Sequence, residues 1–303
     1  YKLNIYRRLL LYLFKSSIIC MPVCLYDYIT SLFNCNTIFI QTAQVRRRGE
    51  RTAPMIYLTG DTHQDFSRFE PSRFTPSRHM TKDDFVIVCG DFGVWDGGWA
   101  EQMAMARLNM MPFTTLFVTG NHSNYDRLSQ LPVTSWHGGQ VQYLDSSLIH
   151  LMRGQVYDID GHSFFTMGGA SSHDVPDGIL DPDDPDFTAK KKALDARFAL
   201  YRVAHRSWWR QELPDDAEYA TARASLERVG WKVDYVVTHC IGSRVQDLIA
   251  PDGGYEHDRL TDFFDEISGR LDFRWWFFGH YHDDRVVMNR YMLLYRQIIR
   301  LPD

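Results

Sequence analysis

A short apolar run that ends in a polar cluster decides the fold. It lies at residues 55–63, which read MIYLTGDTH. The run Met55–Thr59 has the length and the aromatic and β-branched content of a buried strand. Gly60 permits the tight turn that the strand end needs, so the side chains of Asp61 and His63 can be aimed into a crevice beside the sheet. This stretch therefore predicts a strand whose carboxyl end carries candidate metal-binding residues.

The same arrangement recurs four times along the chain, each time as an apolar run followed directly by polar residues. The predicted strands are Met55–Thr59, Phe85–Cys89, Thr115–Thr119, Val233–Thr238 and Phe273–Phe278. The clusters that follow the last four are Gly90-Asp91, Gly120-Asn121-His122, Thr238-His239 and Gly279-His280-Tyr281-His282.

Helical and hairpin patterns fill the chain between these strands and indicate an α/β or α+β domain built in layers. Helices are predicted over Trp99–Met110 and Tyr125–Leu131. Asp160-Gly161 predicts a hairpin turn within Val156–Met167. A second hairpin is expected to join Arg285–Met288 to Tyr291–Ile299 through Asn289-Arg290. These patterns predict a mixed sheet, or two mixed β-sheets packed together, flanked by helices, rather than one purely parallel sheet.

Composition divides the chain near Pro54. The chain has 33 basic and 38 acidic residues. Residues 1–54 contain eight basic and two acidic residues, a net charge of +6. Residues 55–303 contain the other 25 basic and 36 acidic residues, a net charge of -11. The apolar run of the first segment is broken by Lys15 and is too short to span a bilayer. We weigh three interpretations of this basic extension: sequence translated upstream of a true start at Met55, a genuine extension packed on the body, or a targeting segment.

Residues 170–230 differ in character from the rest of the chain. They open with an acidic, proline-rich loop over Asp174–Asp186, and helices are predicted over Thr188–Glu212 and Asp215–Arg228. This helical insert is a candidate lid or substrate-selecting element, and a plain structural helical hairpin is the alternative.

The five polar clusters matter as an ordered set, because each alone is ordinary turn chemistry. Carboxylate and amide oxygens combined with imidazole nitrogens suit Mn, Fe, Zn or similar divalent ions. A carboxylate can also bridge two such ions at the separation of about 3.5–4 Å found in two-metal hydrolases. The set therefore predicts a centre for divalent cations where the strand ends meet.

The ordered set resembles the calcineurin-like metallophosphoesterase superfamily, whose pattern is D-x-H, GD, GNH, H and GHxH. The resemblance spans residues 55–299, and the stretches Trp136–Gly139 and Asp177–Phe187 resemble a bacterial branch of uncharacterised members. It implies the phosphoesterase sandwich of two packed mixed sheets flanked by helices, formed by residues 55–303 with the helical insert at about 170–230.

The resemblance also implies a site with two divalent metal ions, Mn first and Fe, Zn, Ni or Mg as alternatives. One ion would be held by Asp61, His63 and His282, and the other by Asn121, His239 and His280, with Asp91 bridging the two. His122, catalytic together with Asp91, would donate a proton to the leaving group or stabilise the phosphate. The implied reaction is hydrolysis of a phosphate ester by a metal-bridging hydroxide, without a covalent enzyme intermediate.

The chain departs from the family pattern beside these residues, at Gln64 and Ser123 and by lacking the Asp-Arg-Gly of the protein phosphatases. Asp126 is a candidate substitute for the acidic residue that usually follows the GNH motif. Without the arginine, phosphodiester or nucleotide substrates are favoured. A phosphomonoesterase of small metabolites and a non-catalytic metal-binding scaffold are the alternatives. Substrate contacts are predicted for His173, Arg202, His205 and Asp126.

The net charge and the cysteines restrict the expected partners and the expected cellular compartment. A net charge of -5 argues against general nucleic-acid binding and against a membrane surface, so a small-molecule phosphate ester or nucleotide is the expected partner. Cys89 and Cys240 are isolated in the body of the chain and read as buried strand residues, which predicts a reducing, cytoplasmic location. His137, His150 and His162 are predicted to be structural. The sequence leaves the oligomeric state open.

Overall fold

Apolar strands buried on both faces form the middle of the protein, in a computed structural model that describes residues 53–251 and 253–302. Successive side chains of such a strand point to opposite faces, so each strand serves two cores. Leu58 packs into a cluster between the two large sheets and its neighbour Tyr57 into a cluster outside the first sheet. Val237 likewise faces the inner cluster, and Val236 faces a cluster outside the second sheet.

Two large sheets and one small sheet contain all the strands of the described part of the chain. The first large sheet has the strand order β15-β1-β2-β3-β6-β5-β4, the second has β13-β14-β12-β11-β8-β7, and the small sheet pairs β9 with β10. The strands are β1 (Ile56–Thr59), β2 (Phe85–Val88), β3 (Thr114–Phe117), β4 (Val133–Trp136), β5 (Gly139–Asp145), β6 (Leu148–Leu151), β7 (Gln155–Ile159), β8 (His162–Met167), β9 (Ile179–Leu180), β10 (Arg202–Val203), β11 (Tyr235–Thr238), β12 (Trp275–Phe278), β13 (Arg285–Val287), β14 (Tyr291–Leu293) and β15 (Ile298–Arg300).

Helices cover the outer faces of both large sheets. The α-helices are α1 (Trp99–Asn109), α2 (Tyr125–Leu128), α3 (Phe187–Ala196), α4 (Asp216–Arg228), α5 (Ser243–Ile249) and α6 (Arg259–Ser268), and 3-10 turns lie at Phe66–Phe69, Thr75–His79 and Arg210–Glu212. In α6, Leu260, Phe264 and Ile267 recur at helical spacing and enter the cluster outside the second sheet. The prediction of two packed mixed sheets flanked by helices is confirmed.

The predicted hairpin at residues 160–161 is confirmed. Strands β7 and β8 pair antiparallel, with Ile159 opposite His162. Asp160 and Gly161 both have positive φ, 56° and 77°. A two-residue turn with positive φ at both positions matches the right-handed twist of the flanking strands, and Asp-Gly is a favoured pair for it.

The predicted strand Tyr291–Ile299 is too long, because it is two separate strands in the structure. Tyr291–Leu293 does pair with Arg285–Val287, but the chain then leaves this sheet, and Ile298–Arg300 pairs antiparallel with β1 of the other sheet. The carboxylate of Asp284 accepts hydrogen bonds from the backbone N–H groups of Tyr295 (2.7 Å) and Arg296 (3.1 Å). These bonds satisfy backbone groups that a continuous strand would have paired.

The predicted helix Thr188–Glu212 is also wrong in its second half. Helix α3 ends at Ala196, and Phe198 follows with a positive φ of 54°, which a continuing helix cannot contain. The backbone N–H of Leu200 then donates to the Asp177 carboxylate at 2.8 Å. This bond turns the chain back along the acidic loop, so that β10 pairs with β9.

Other predicted bounds shift by a few residues, and some elements were not predicted. Helix α2 ends at Leu128 rather than Leu131, and the five apolar strands keep their predicted cores. Strands β4 to β6 extend the first sheet at its edge, where β4 is mostly exposed and lacks an apolar run. Cys89 and Cys240 are buried free thiols, as predicted, but each lies just beyond the end of a strand, after β2 and β11.

Of the basic extension over residues 1–54, the structure describes residues 53 and 54. Residues 1–52 of that extension lie outside the described residues, so its three interpretations stay predictions. Across the residues described, no helix has the length and apolar content needed to cross a membrane.

The buried Glu212 makes the stability of the fold depend on pH. It is 2% exposed, and its carboxylate accepts hydrogen bonds from the backbone N–H (3.0 Å) and the hydroxyl (2.9 Å) of Ser172. Burial raises the pKa of Glu212 to about 8. A folded-state pKa above the unfolded value contributes stability that is present at low pH and lost as pH rises towards 8.

We therefore expect Glu212→Gln to raise the melting temperature at pH 8 by about 3 °C, and to change it little at pH 5, where the wild-type carboxyl is protonated. Thermal melts at the two pH values measure this. Glu227→Gln at an exposed position is the control. An equal shift at both pH values would contradict the assignment.

Candidate metal centre

The five motifs meet at one end of the two large sheets. Each motif directly follows a parallel strand, which is β1, β2 or β3 in the first sheet and β11 or β12 in the second. Because the carboxyl ends of parallel strands lie at the same edge, side chains far apart in sequence come together there. The seven residues predicted as metal ligands converge at this edge, namely Asp61, His63, Asp91, Asn121, His239, His280 and His282.

Asp61, His63 and His282 form one group of candidate metal-ligand atoms. These atoms all lie within 4.8 Å of one another. The Nε2 atoms of His63 and His282 are 3.1 Å apart, and they lie 3.8 Å and 3.2 Å from the Asp61 Oδ2 atom. One carboxylate oxygen and two imidazole nitrogens at this spacing make a donor set that suits a divalent cation.

Asp61, Asp91 and His239 form a second, fully buried group. His239 Nδ1 lies 2.8 Å from the carbonyl oxygen of Cys89, which can only accept, so this nitrogen carries a proton. The other nitrogen, Nε2, faces Asp91 Oδ2 at 3.4 Å and Asn121 Oδ1 at 3.3 Å. A hydrogen bond from the outer nitrogen is how metal-binding histidines are usually oriented.

The electrostatics of the second group favour a cation. Burial alone would lower the pKa of His239, but the carboxylates of Asp91 and Asp61 raise it to about 9. Burial would raise the pKa of Asp91, but the His239, His122 and His63 rings hold it well below its usual range. Both shifts show that positive charge is stabilised beside these carboxylates, whether carried by a proton or by a metal ion.

Each carboxylate is anchored by a backbone N–H group, and that of His280 also lies within hydrogen-bond distance of the second Asp61 oxygen, Oδ2, at 3.3 Å. Asp61 Oδ1 accepts from the backbone N–H of His280 at 3.0 Å, and Asp91 Oδ1 accepts from that of His122 at 2.9 Å. The free Oδ2 of Asp91 lies 3.9 Å from His63 of the first group and 3.4 Å from His239 of the second. Asp61 is the residue that the two groups share, and the bridging role of Asp91 stays a prediction.

The glycines of the motifs are needed because the ligand side chains occupy the space of a Cβ atom. A Cβ on Gly90 would lie 2.1 Å from the His239 ring, and one on Gly279 would lie 2.1 Å from Asp61 Oδ1. A Cβ on Gly120 would lie 2.1 Å from Asp91 Oδ1. Non-bonded atoms do not approach so closely, so any larger residue would displace a candidate ligand.

Four of the candidate residues have a backbone conformation that non-glycine residues rarely adopt. The φ angles of His63, Asp91, His280 and His282 are 43°, 44°, 71° and 50°. Hydrogen bonds between the loops stabilise these backbone conformations. One example is the His63 N–H, which donates to the Asp91 carbonyl oxygen at 2.8 Å. Such strained residues concentrate at functional sites, where the surrounding structure enforces them.

His280 and Asn121 complete the cluster on its buried side. The rings of His280 and His239 have centroids 5.0 Å apart, and burial lowers the pKa of His280 well below its usual value, which leaves a neutral imidazole. Both residues are buried, and their assignment as metal ligands stays a prediction.

Comparison with known proteins adds little to this geometry. No family model matches the chain, and no curated protein matches it. Among solved structures, the phosphopantetheinyl hydrolase (PptH) from Mycobacterium tuberculosis is similar at 15% sequence identity and a TM-score of 0.39, covering 83% of this chain and 97% of that one. A similarity this weak says nothing about the fold or chemistry of this chain, which rest on its own residues.

Arg202, a predicted substrate contact, lies beside His122 at the edge of the centre. Its Nη1 atom is 3.2 Å from His122 Nδ1, and its guanidinium is fixed by two bonds to the Asp174 carboxylate, at 3.0 and 2.6 Å. Burial lowers the pKa of His122, and Arg202 acts in the same direction while Asp91 opposes it. Asp174 was not singled out from the sequence, because no local motif links it to a residue 28 positions later.

Asp126 and His205 lie together rather than in contact with His122. The Asp126 carboxylate is 2.9 Å from His205 Nδ1 and accepts from the indole N–H of Trp209 at 2.8 Å. Asp126 therefore ties α2 to the segment after β10, and its hydrogen bonds lead away from the candidate catalytic histidine. A substrate contact for either residue stays a prediction.

The other histidines separate into two kinds. His173 lies against the centre, with its ring centroid 5.3 Å from that of His280 and 4.6 Å from that of Tyr255. Tyr255 was not singled out from the sequence, since a lone tyrosine in a loop carries no signal. His137 bonds the Asp158 carbonyl oxygen and His150 bonds Gln142, so both have the structural contacts that were predicted.

Proposed function

We propose that the chain is a metal-dependent phosphoric ester hydrolase of the calcineurin-like type, with two divalent cations held by the seven candidate ligands. The observation that carries this proposal is the pair of overlapping ligand groups that share Asp61 and are both contacted by Asp91. Two sets of donors this close are what a two-metal hydrolase requires.

The donor set fits divalent cations. Among the described residues, Asp61 and Asp91 form ion pairs only with histidines, although both are almost completely buried. Leaving two buried carboxylates without lysine or arginine partners is costly unless another cation balances them. Mixed carboxylate, amide and imidazole donors suit Mn best under this proposal, with Fe, Zn, Ni or Mg as alternatives.

The residues around the cluster can carry out the rest of the reaction. A pair of cations, when bound, lowers the pKa of water towards neutrality and offsets charge on the phosphoryl oxygens. Asp91 and Asp61 stay anchored through their backbone-bonded oxygens, so the centre keeps its shape. His122 lies 4.0 Å from Asp91 Oδ2, whose charge favours the protonated ring against burial and Arg202, and it is about one-third exposed, so it can donate that proton to the leaving oxygen. Two N–H groups of Arg202 face the His122 ring, and either can turn from that ring to donate to a phosphoryl oxygen.

Phosphodiesters or nucleotides are the substrates we propose first. Small-metabolite monoesters are the second candidate, and Arg202 is the observation that favours them, because it supplies a guanidinium that the motifs lack. However, Asp174 partly offsets the charge of Arg202. The remaining positive charge suits the single negative charge of a diester better than the two negative charges of a monoester. Mn-loaded protein assayed on p-nitrophenyl phosphate and on its bis-ester compares the two classes directly.

Replacement of Arg202 tests its place in the site. We expect Arg202→Ala to lower kcat/KM by about 10- to 100-fold on the better of the two substrates, because one charge-assisted hydrogen bond to the phosphoryl group is lost. Arg202→Lys should recover only part of this, since an ammonium lacks the forked geometry.

The matched control is Arg206→Ala, four residues away, where the guanidinium packs over the Phe187 ring. Unchanged kinetics of both Arg202 variants would show that this arginine only fixes the insert and does not contact substrate.

A further inference from the structure

A cavity of about 330 Å³ opens beside the buried half of the metal centre, and His280 forms part of its wall. The loop over residues 170–176 lines one side, and residues 253–258 with the start of α6 line the other. The volume lies at the lower end of the range for small-molecule sites, about 300–1,000 Å³, and corresponds to a compact organic group rather than a polymer. Because His280 belongs both to the candidate centre and to the cavity wall, a group attached to a phosphoryl group at the centre can reach this cavity.

The walls offer hydrogen-bonding groups that the protein itself does not use. Within residues 53–251 and 253–302, neither the Tyr255 hydroxyl nor a ring nitrogen of His173 makes a hydrogen bond, although both residues line the cavity. Their rings are in contact, with centroids 4.6 Å apart. Other polar side chains of the wall already make hydrogen bonds within the protein. Ser171 donates to Asp258 at 2.6 Å, and Gln246 donates to the backbone carbonyl oxygens of residues 255 and 256.

The charge of the walls restricts what the cavity can take. No lysine or arginine lines it, whereas Glu256 and Asp258 do. Three histidines also line the cavity, and of these His257 is already paired with Asp247 at 2.7 Å. A second phosphate or a carboxylate in this cavity would face two acidic side chains without a guanidinium or ammonium to balance it. Arg202, in contrast, lies next to His122 and is not part of the cavity wall.

Resting on the proposed function, we propose that this cavity binds the organic group of the phosphate ester, and that it selects groups that are cationic or neutral over groups that are anionic. The phosphoryl oxygens then face His122 and Arg202, while the organic group contacts Tyr255 and His173. Substrates that carry a second phosphate or a carboxylate close to the scissile ester are disfavoured.

Binding of three phosphate monoesters to the full-length, Mn-loaded protein tests this without requiring turnover. Phosphocholine, glycerol 3-phosphate and 3-phosphoglycerate share the phosphoryl group, and their organic groups are similar in size but cationic, neutral and anionic. Calorimetric Kd values, each divided by that of inorganic phosphate, isolate the contribution of the organic group. We expect phosphocholine and glycerol 3-phosphate to bind about tenfold more tightly than 3-phosphoglycerate.

Val175→Trp fills the cavity from its half-buried wall position without altering a candidate ligand. This variant should bring the Kd values of phosphocholine and glycerol 3-phosphate to within about twofold of the value for inorganic phosphate. The value for inorganic phosphate itself should not change. Tyr255→Phe, a milder change, should weaken glycerol 3-phosphate binding and leave inorganic phosphate unaffected. Val133→Trp, at an exposed position on β4, is the matched control.

The outcomes separate this inference from the proposed function. Equal affinities for the three esters would overturn the cavity assignment. So would ratios of ester Kd to inorganic phosphate Kd that neither Val175→Trp nor Tyr255→Phe changes. In both cases, binding of inorganic phosphate would still support the metal centre. Absence of inorganic phosphate binding would overturn both. The expected ratios in a protein that turns over neither p-nitrophenyl phosphate nor its bis-ester would support the cavity and contradict the hydrolase.

Discussion

Asp91→Asn will lower phosphoesterase activity by at least about 10³-fold, because the variant removes the negative charge that both ligand groups contact. Asparagine has nearly the shape of aspartate, so the backbone N–H of His122 keeps an acceptor where Asp91 Oδ1 now lies. What is lost is the charge beside His239, His63 and His122, which together hold the pKa of Asp91 far below its usual range. Release of p-nitrophenol from the ester substrates measures the activity.

Metal content provides the second measurement on the same variant. We expect the wild-type protein to retain about two divalent ions per chain after dialysis, and Asp91→Asn to retain fewer. Asp158→Asn, an exposed carboxylate in the β7–β8 hairpin that accepts from the Gly161 N–H, is the control. Wild-type turnover that is no greater than that of Asp91→Asn, across several metals and both esters, would refute the proposed function.

Gly120→Ala will lower activity by about 10²-fold or more, although it adds only one methyl group. The new Cβ would lie 2.1 Å from Asp91 Oδ1, 2.6 Å from His239 Nε2 and 2.7 Å from the backbone nitrogen of Asp91. Because one of these atoms belongs to the backbone, the clash cannot be relieved by rotating a side chain. The φ angle of Gly120 lies outside the left-handed region, so the loss would come from crowding of the candidate ligands and not from backbone strain.

Gly269→Ala is the matched control for this variant. It follows α6 at a φ of -71°, and its nearest neighbour to an added Cβ is a carbonyl oxygen 3.6 Å away. Alanine there should leave activity unchanged and leave stability unchanged or slightly higher. Metal content and circular dichroism of Gly120→Ala distinguish a displaced ligand from an unfolded protein. Full activity of Gly120→Ala would contradict the close packing of the motif glycine against Asp91 and His239.

Local sequence was enough for the five strands that lead into the motifs and for the β7–β8 hairpin. Apolar runs such as Phe85–Cys89 predict strands because both faces are buried, and a pair such as Asp160-Gly161 predicts a turn because of the φ angles it tolerates. Each of these signals lies within a few residues of the element that it specifies. The motifs at the strand ends are equally local, which is why the resemblance could assign all seven candidate ligands by residue number.

The elements that were predicted wrongly depend on distant contacts. Whether residues 294–299 continue a strand is decided by Asp284, which bonds the backbone there, and by β1, which pairs with Ile298–Arg300. Whether α3 continues past Ala196 depends on Asp177, which holds Leu200. Helical or strand propensity within the segment itself carries no information about such partners.

The sequence alone thus established the order of the strands' polar ends and the donor chemistry. Only tertiary structure showed that Arg202 and Asp174 lie against His122, that Asp126 bonds His205 and Trp209, and that Tyr255 and His173 wall a cavity beside His280. The reason is physical. A ligand motif is placed by the strand that precedes it, whereas a substrate-contacting side chain from a loop is placed by whatever the loop packs against.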